Sequence, residues 1–206
     1  MKPKVLIGCE MSGRVRDAFL AAGREAVSCD LLPSETPGPH IQGDVLEALR
    51  SRQWALAILF PPCTFLCNSG VRWLYKQGTR ERIESRWQSM RDGAAFFAAC
   101  WNAPVARLVV ENPVMHRHAK MEIEKLTGPL PEPCSVHPWQ HSHGETKRTL
   151  LWLRGLPPLA PSCIVPGRIP RVHHASPGPD RWKERSRTLP GIAAAMAAQY
   201  APLLFP

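Results

Sequence analysis

Short apolar runs alternate with stretches of helical periodicity along most of the chain. The apolar runs end at polar residues, glycines or prolines, and they predict strands over residues 4–9, 25–29, 54–60, 105–110 and 149–153. The run at 54–60 (WALAILF) is nearly all apolar, as expected for a strand that is buried on both faces of a parallel sheet. The sheet is therefore expected to be covered on both sides.

The helical stretches lie between these runs. Apolar residues spaced three and four apart predict helices over residues 14–22, 45–50, 79–101, 115–126 and 191–200. The longest stretch carries one apolar stripe, which is formed by Ile83, Trp87, Met90, Ala94 and Phe97. Strands that alternate with helices predict an α/β fold with a mostly parallel, doubly wound sheet.

Length and composition predict a single domain over residues 1–206, with enough apolar residues (44%) for a full core. Residues 154–187 differ from the rest, because they contain seven prolines and seven basic residues; we interpret them as an irregular basic excursion. No apolar run approaches the ~20 residues that cross a bilayer, and the N-terminal residues have no signal-peptide pattern. We therefore expect a cytoplasmic protein that does not enter a membrane.

Charge and cysteine content narrow the possible functions. The formal net charge of +9 favours a polyanionic partner such as nucleic acid, because phosphate binding releases counterions. The seven cysteines are scattered and odd in number, so a disulfide framework is not expected. Cys134, His137, His141 and His143 lie close together in sequence, but their spacing fits no standard zinc finger. No metal is predicted.

Residues with candidate chemistry lie where the predicted strands end, which is the edge where doubly wound sheets bind ligands. The turn of residues 10–13 follows the first strand, and its glycine allows the backbone to approach a nucleotide-like cofactor closely. Asp30 ends the second strand and could accept hydrogen bonds from ribose hydroxyls. Asp44 would follow a third strand, between residues 30 and 44, for which the apolar pattern gives no range. An ordinary turn residue is the alternative interpretation of each acid.

The strongest signal is Pro61-Pro62-Cys63, directly after the fourth strand. Paired prolines stiffen the backbone and would hold the thiol in a fixed place, although a buried structural cysteine gives the same pattern. Glu111, at the end of the next core strand, supplies a mechanism: the thiolate adds to an electrophilic carbon while the acid protonates a ring nitrogen. This chemistry requires a lowered thiol pKa, which we expect nearby Arg and Lys residues to supply.

In order and spacing, these segments resemble the motifs of DNA cytosine-5 methyltransferases, particularly small phage- and prophage-encoded members. The matching segments are Pro61-Pro62-Cys63, Glu111-Asn112, Gly43-Asp44, Glu145-Thr146-Lys147-Arg148 and Thr188-Leu189-Pro190-Gly191-Ile192-Ala193. Together they cover nearly the whole chain. The resemblance implies a Rossmann-like class I S-adenosylmethionine-dependent methyltransferase fold, S-adenosylmethionine as cofactor and DNA as substrate.

The resemblance also implies roles for individual residues. Cys63 would attack carbon 6 of cytosine, Glu111 would stabilise the ring at nitrogen 3, and Lys147 or Arg148 would hold the base carbonyl or a phosphate. The cofactor would contact Cys9, Glu10, Met11, Ser12, Gly13, Asp30, Leu31, Asp44, Val45, Phe60, Pro61 and Ile192. Nucleic acid would contact Arg168, Arg171, His173, His174, Arg185 and Arg187.

Several features depart from the family pattern. The first loop has fewer glycines, Phe60 stands where glycines usually precede the paired prolines, and Pro113 follows Glu111-Asn112. Only residues 154–187 stand in place of the large target-recognition domain, which predicts a monomer with relaxed sequence specificity or with a partner protein that supplies it. Two alternatives stay open: a Cys-dependent enzyme acting on another pyrimidine, in RNA or as a nucleotide, and a non-catalytic nucleic-acid-binding relative.

Overall fold

A seven-stranded sheet forms the centre of the molecule. The computed structural model describes residues 4–71, 73–171, 178 and 181–204. The strands are β1 (Lys4–Gly8), β2 (Glu25–Asp30), β3 (His40–Gln42), β4 (Leu56–Leu59), β5 (Leu108–Pro113), β6 (Cys134–Val136) and β7 (Thr149–Arg154). Their order is β3-β2-β1-β4-β5-β7-β6. Strands β1 to β5 pair in parallel, and β7 is antiparallel to both of its neighbours.

Helices cover both faces of this sheet. They are α1 (Arg14–Ala21), α2 (Val45–Arg50), α3 (Asn68–Val71), α4 (Glu84–Trp101), α5 (Arg117–Thr127), α6 (Arg181–Ser186) and α7 (Pro190–Tyr200). Successive strand residues point to opposite faces. Leu6 belongs to the core cluster that contains buried residues of α2, α4 and α5, whereas Val5 and Ile7 belong to the cluster of α1 and α7. The predicted α/β fold with a mostly parallel, doubly wound sheet is confirmed.

The sheet order reverses at β1, which lies between β2 and β4. Such a reversal leaves a crevice outside the carboxyl ends of the adjacent strands. Cys9, Asp30 and Phe60 stand at the ends of β1, β2 and β4, and Glu111 lies in the last half of β5. The fold therefore brings together residues that are far apart in sequence.

The long helix begins later than its apolar periodicity predicts. It starts at Glu84 and not at residue 79, because the preceding segment folds back on itself. Tyr75 and Arg82 form an isolated antiparallel bridge, and the Ile83 N–H donates to the Leu74 carbonyl at 2.9 Å. Ile83 is the N-cap residue, and the other four positions of the predicted stripe are buried.

Strand β5 extends past its predicted end at residue 110. Residues 111–113 pair with residues 149–151 of the antiparallel β7 and so belong to the strand. Asn and Pro favour turns, but the ladder with β7 overrides that preference. Glu111 is therefore held by strand geometry.

Part of the basic excursion is held by backbone pairing, although the sequence predicts irregular structure. Bridges join His141 to Cys163 and Glu145 to Ile169, and α6 lies near the end of the excursion. His173 and His174, which are predicted to contact nucleic acid, lie outside the described residues. Across the part of the chain that the structure describes, no helix has both the length and the apolar character needed to cross a bilayer.

Candidate active site

A cleft of about 630 Å³ opens at the carboxyl edge of the sheet. One half, which we call the β1/β2 half, is lined by residues 9–12, Asp30 and Leu32; the other, the thiol half, is lined by residues 61–64, Cys67, Glu111 and Lys147. The cleft brings together twelve residues that the sequence assigns to a site: Cys9, Glu10, Met11, Ser12, Asp30, Phe60, Pro61, Cys63, Glu111, Lys147, Arg185 and Arg187.

Backbone hydrogen bonds fix the loop that carries Cys63. Its carbonyl accepts from the N–H groups of Leu66 and Cys67, at 3.0 and 3.1 Å. The loop also joins the segment after β5, since the His116 N–H donates to the Leu66 carbonyl at 2.8 Å. The Cys63 thiol therefore has a fixed position relative to β5 and the Glu111 carboxyl group.

The surroundings of Cys63 raise the pKa of its thiol well above the ordinary value. The hydrogen bond with Cys67 is the largest cause, followed by burial and the negative charge of Glu111, whereas the positive charge of Lys147 lowers the pKa. The expectation that basic neighbours lower this pKa is therefore wrong, because one lysine opposes several stronger effects. The thiol is neutral at rest.

Glu111 has a perturbed carboxyl group. Burial raises the pKa of Glu111 to about 7 from its ordinary 4.5, and the charge of Lys147 only partly offsets this. A large fraction of the carboxyl groups carries a proton near neutral pH. A carboxylic acid that lines a cleft beside a thiol can donate this proton to a ring nitrogen.

The two basic residues before β7 have different positions. Lys147 lines the cleft, and its Nζ donates to the Arg185 carbonyl at 2.7 Å. Arg148 instead donates from Nε to Ser135 Oγ at 3.1 Å, beside β6. The position of Lys147, and not that of Arg148, suits contact with a molecule bound in the cleft.

Glu10 shapes the turn after β1. Its Oε1 accepts from the Ser12 hydroxyl and from the Val15 N–H, both at 2.9 Å, which ties the turn to α1. Burial raises the pKa of Glu10, whose side chain is almost completely covered. Oε2 is also buried and has no hydrogen-bond partner among the described residues. A bound molecule with a hydrogen-bond donor would satisfy this atom.

Cys9 adopts a left-handed backbone conformation, with φ of 56°. This conformation costs a residue with a Cβ roughly 1–2 kcal/mol, and such strain is concentrated at functional sites. Cys9 directly follows β1 and lines the cleft. A cysteine thus takes a conformation that favours glycine.

The cleft lining lacks five residues that are predicted to bind the cofactor: Gly13, Leu31, Asp44, Val45 and Ile192. Asp44 caps α2 by accepting from the Leu46 N–H at 2.8 Å, and Val45 packs in the core. Leu31 is 74% exposed, and Leu32 lines the cleft in its place. Asp44 and Val45 therefore stabilise α2 and the core without lining the cleft.

The other two lie close to the cleft. Gly13 is the N-cap residue of α1. Ile192 lines a small cavity that shares Phe60, Glu111 and Lys147 with the cleft, so it lies directly behind the thiol half. Ile192 therefore supports residues of the site.

Two arginines predicted to bind nucleic acid have partners inside the protein. The Arg168 guanidinium lies 4.0 Å from the centre of the Trp139 ring, and it donates to the Val165 carbonyl at 3.0 Å. Arg171 forms an ion pair with Glu145 at 2.9 Å. Both arginines are exposed and lie outside the cleft lining, so their phosphate contacts stay a prediction.

The other two arginines of the predicted set lie at the cleft. Arg187 binds the Glu35 carboxylate through two hydrogen bonds of 2.7 and 2.9 Å. Arg185 lines the cleft, and its carbonyl holds Lys147. Only Arg185 therefore combines the predicted charge with a position suited to a polyanion.

The sequence analysis did not assign two residues at the far end of the thiol half. Trp73, whose side chain is 43% exposed, and Arg86, which lies over the Phe65 ring at 5.4 Å, both line the cleft. An aromatic ring and a guanidinium in the lining of one cleft can bind unpaired bases and phosphates. Trp73 lies outside every predicted element, and Arg86 belongs to the predicted helix of residues 79–101 without being part of a motif.

The clustered histidines form hydrogen bonds within the protein. His141 Nδ1 lies 2.9 Å from Ser162 Oγ, and His143 Nε2 accepts from the Gly191 N–H at 3.0 Å. In the described ranges, no three His, Cys, Asp or Glu side chains are grouped so as to hold a metal ion.

Comparison with known proteins finds solved structures that resemble the chain in part, at low sequence identity. No protein family model matches the chain, and no curated protein matches it in sequence. A candidate DNA modification methyltransferase encoded in an E. coli prophage is 12% identical, with a TM-score of 0.48; the match covers 85% of this chain and 55% of that protein.

Two further structures are similar in the same way. Spodoptera frugiperda DNMT2, solved as a triple mutant, is 12% identical, with a TM-score of 0.42 and coverage of 81% of this chain and 54% of that one. The S. pombe Dnmt2 methyltransferase is 14% identical, with a TM-score of 0.43 and coverage of 86% and 55%. The chain spans about half the length of these proteins. Its seven-stranded sheet agrees with the Rossmann-like class I methyltransferase fold that the motifs imply.

Proposed function

We propose that this chain transfers a methyl group from S-adenosylmethionine to carbon 5 of cytosine in DNA, with Cys63 as a covalent nucleophile. The observation that carries the proposal is that Cys63, Glu111 and Lys147 line the same cleft as the turn after β1. A thiol, a protonated acid and a cofactor-type turn in one cleft are the parts that this reaction requires.

The β1/β2 half suits the methyl donor. Asp30 lines this half and could accept hydrogen bonds from the ribose hydroxyls of the donor. The buried Oε2 of Glu10 would accept from its ammonium group, which satisfies an atom that otherwise has no partner among the described residues. When bound, the donor supplies an electrophilic methyl group on a sulfonium.

In the thiol half, the target base must leave the stack, since its carbon 6 cannot be reached inside a duplex. The Cys63 thiol loses its proton to solvent water, its sulfur forms a bond to carbon 6, and Glu111 gives its proton to nitrogen 3. Carbon 5 becomes nucleophilic and takes the methyl group, and the sulfonium of the donor leaves as a neutral thioether. Water then takes the carbon-5 proton, the electrons of that bond form the double bond between carbons 5 and 6, and the Cys63 thiolate leaves carbon 6. Nitrogen 3 returns its proton to Glu111, and Cys63 regains a proton from solvent.

Activation of the thiol must accompany substrate binding in this mechanism. The pKa of Cys63 is raised, first by its hydrogen bond with Cys67. If the target cytosine displaces Cys67 from the Cys63 thiol, this hydrogen bond no longer raises the pKa of the thiol. The nearby positive charge of Lys147 would then favour the thiolate. Reactivity is thereby coupled to the presence of the substrate.

Methyl transfer to separate DNA and RNA substrates from tritiated S-adenosylmethionine tests the proposal. We expect transfer to DNA, and we expect Cys63→Ser to lower it by several orders of magnitude while donor binding stays close to wild type. Cys163→Ser is the matched control, because Cys163 is exposed and does not line the cleft. An oligonucleotide with 5-fluorocytosine should trap a covalent adduct, since fluorine cannot leave carbon 5 as a proton does.

Each contrary result identifies an alternative. Transfer only to RNA or a free nucleotide would indicate a Cys-dependent enzyme acting on another pyrimidine. Nucleic acid binding without donor binding would indicate a non-catalytic relative. Wild-type turnover by Cys63→Ser would exclude the covalent route. Cytoplasmic location, the monomeric state and a partner protein that confers specificity stay predictions.

A further inference from the structure

Arg16, in α1, has a completely buried side chain. A buried guanidinium is costly unless all its N–H groups are hydrogen-bonded and its charge is compensated. Nε forms an ion pair with the Asp17 carboxylate at 2.8 Å. Its two terminal nitrogens donate to oxygens of Ser28, Ser34, Thr36 and Pro37, at 2.7 to 3.3 Å.

Two glycines make room for this guanidinium. Gly13 and Gly38 have φ values of 72° and 150°. A Cβ on Gly13 would lie 2.4 Å from a terminal nitrogen of Arg16, and one on Gly38 would lie 2.7 Å from its Cζ. Both distances are too short for a side chain. The guanidinium is therefore enclosed by two backbone segments, at residues 13 and 34–38.

These two segments continue directly from the walls of the β1/β2 half. Residues 9–12 line that half and precede Gly13, whereas Asp30 and Leu32 line it and precede residues 34–38. The Glu35 N–H also donates to the Met11 carbonyl at 2.8 Å, which joins the two loops directly. A change at Arg16 would be transmitted to both walls, although Arg16 does not line the cleft.

We infer that Arg16 is a positioning residue for donor binding: it holds the turn after β1 and the loop after β2 at the separation that the donor requires. The identity of the donor rests on the proposed function. The effect of Arg16 on the two loops rests on its hydrogen bonds to residues 34–37, on its close approach to Gly13 and on the hydrogen bond between Glu35 and Met11.

Arg16→Lys tests the inference, because lysine keeps the charge but has a single nitrogen, which cannot replace the hydrogen bonds to Ser28 and to residues 34–37. We expect the KM for S-adenosylmethionine to rise about tenfold, while kcat and the KM for nucleic acid stay within about twofold of wild type. Arg154→Lys is the matched control, because it also removes a guanidinium. The Arg154 guanidinium is half-buried and donates to the Ala103 carbonyl, far from the cleft. It should lower the melting temperature and leave the donor KM unchanged.

Hydrogen–deuterium exchange gives a readout that needs no ligand. In Arg16→Lys, the Glu35 amide, whose N–H joins the two loops through the Met11 carbonyl, should exchange faster, whereas the amides of β5 and β7 should keep wild-type protection. Unchanged exchange at Glu35, or an unchanged donor KM, would overturn the inference, as would equal loss of donor affinity in Arg154→Lys. If the wild type binds no S-adenosylmethionine, the proposed function fails, and the exchange result still decides whether Arg16 holds the two loops together.

Discussion

Burial favours the neutral form of both Cys63 and Glu111. The Glu111 carboxylate adds to this effect on the Cys63 thiol. The carboxylate charge raises the pKa of Cys63, and burial brings the pKa of Glu111 to about 7. Lys147 acts in the opposite direction on both. Glu111 therefore keeps its proton in a large fraction of the molecules near neutral pH. Protonation of nitrogen 3 of cytosine requires this protonated acid.

This pKa predicts how the stability of the protein depends on pH. Glu111 has a higher pKa in the folded protein than its ordinary 4.5, so its carboxyl group favours folding only while protonated. That contribution is present at low pH and is lost as the pH rises from 4.5 through about 7. Glu111→Gln mimics the protonated acid and removes this dependence. We expect wild type to lose about 3 kcal/mol relative to Glu111→Gln over this range.

Urea unfolding of both proteins at a series of pH values measures this difference. Glu47→Gln is the control, since it makes the same substitution at an exposed position of α2 outside the cleft. A constant difference between wild type and Glu111→Gln would show that the acid has an ordinary pKa. In that case Glu111 would not protonate the base.

The sequence predicts the residues of the thiol half better than the residues that support the cleft without lining it. Cys63 and Glu111 follow from the paired prolines and from the end of an apolar strand. Adjacent residues in extended backbone point to opposite sides, so only one of Lys147 and Arg148 can face the cleft. The sequence does not show which one. Arg16 is also hidden, since most of its partners lie in a loop without periodicity and its burial depends on the distant Gly38 as well as on the nearby Gly13.

At the scale of elements, apolar runs locate the strands well, and tertiary pairing sets their ends. Strand β5 is longer than predicted because β7 pairs with residues 111–113, and α4 is shorter because residues 75 and 82 bridge before it. Strand β3 (His40–Gln42) is expected before Asp44 but has no predicted range, since its sequence is mostly polar and its partner β2 supplies the ladder. Local patterns contain none of this information.

The start of α7 depends on one close backbone approach. A Cβ on Gly191 would lie 1.8 Å from the His141 carbonyl oxygen, and the Gly191 N–H donates to His143. Gly191→Ala must therefore move α7 away from the turn at residues 138–140. We expect a loss of about 1–3 kcal/mol in the free energy of unfolding, as for other overpacked sites. Chemical denaturation measures this loss.

Gly43→Ala is the matched control, because a Cβ at Gly43 meets no atom within 4 Å. Its stability should stay within about 0.5 kcal/mol of wild type. Equal stability of Gly191→Ala and wild type would mean that α7 can shift at no cost. The packing of α7 against α1 would then be looser than the structure shows.

For the whole molecule, the net charge of +9 predicts a polyanionic partner, but it does not say which surface binds. The basic excursion is the obvious candidate in the sequence. In the fold, Arg168 and Arg171 have partners within the protein, whereas Arg86 and Arg185 line the cleft. Arginines that carry the same charge in the sequence thus differ in the fold, by their side-chain partners and by their position relative to the cleft.

Salt dependence of nucleic acid binding distinguishes these two surfaces. Affinity should fall steeply with salt, and each lost phosphate contact should reduce the log–log slope by about 1. We expect this reduction in Arg86→Gln and in Arg185→Gln, with little change in Arg168→Gln or Arg171→Gln. The last two are matched controls, because they remove the same charge from outside the cleft. Equal reductions in all four variants would instead show that Arg168 and Arg171 also contact phosphate. A flat salt response in the wild type would contradict phosphate binding altogether.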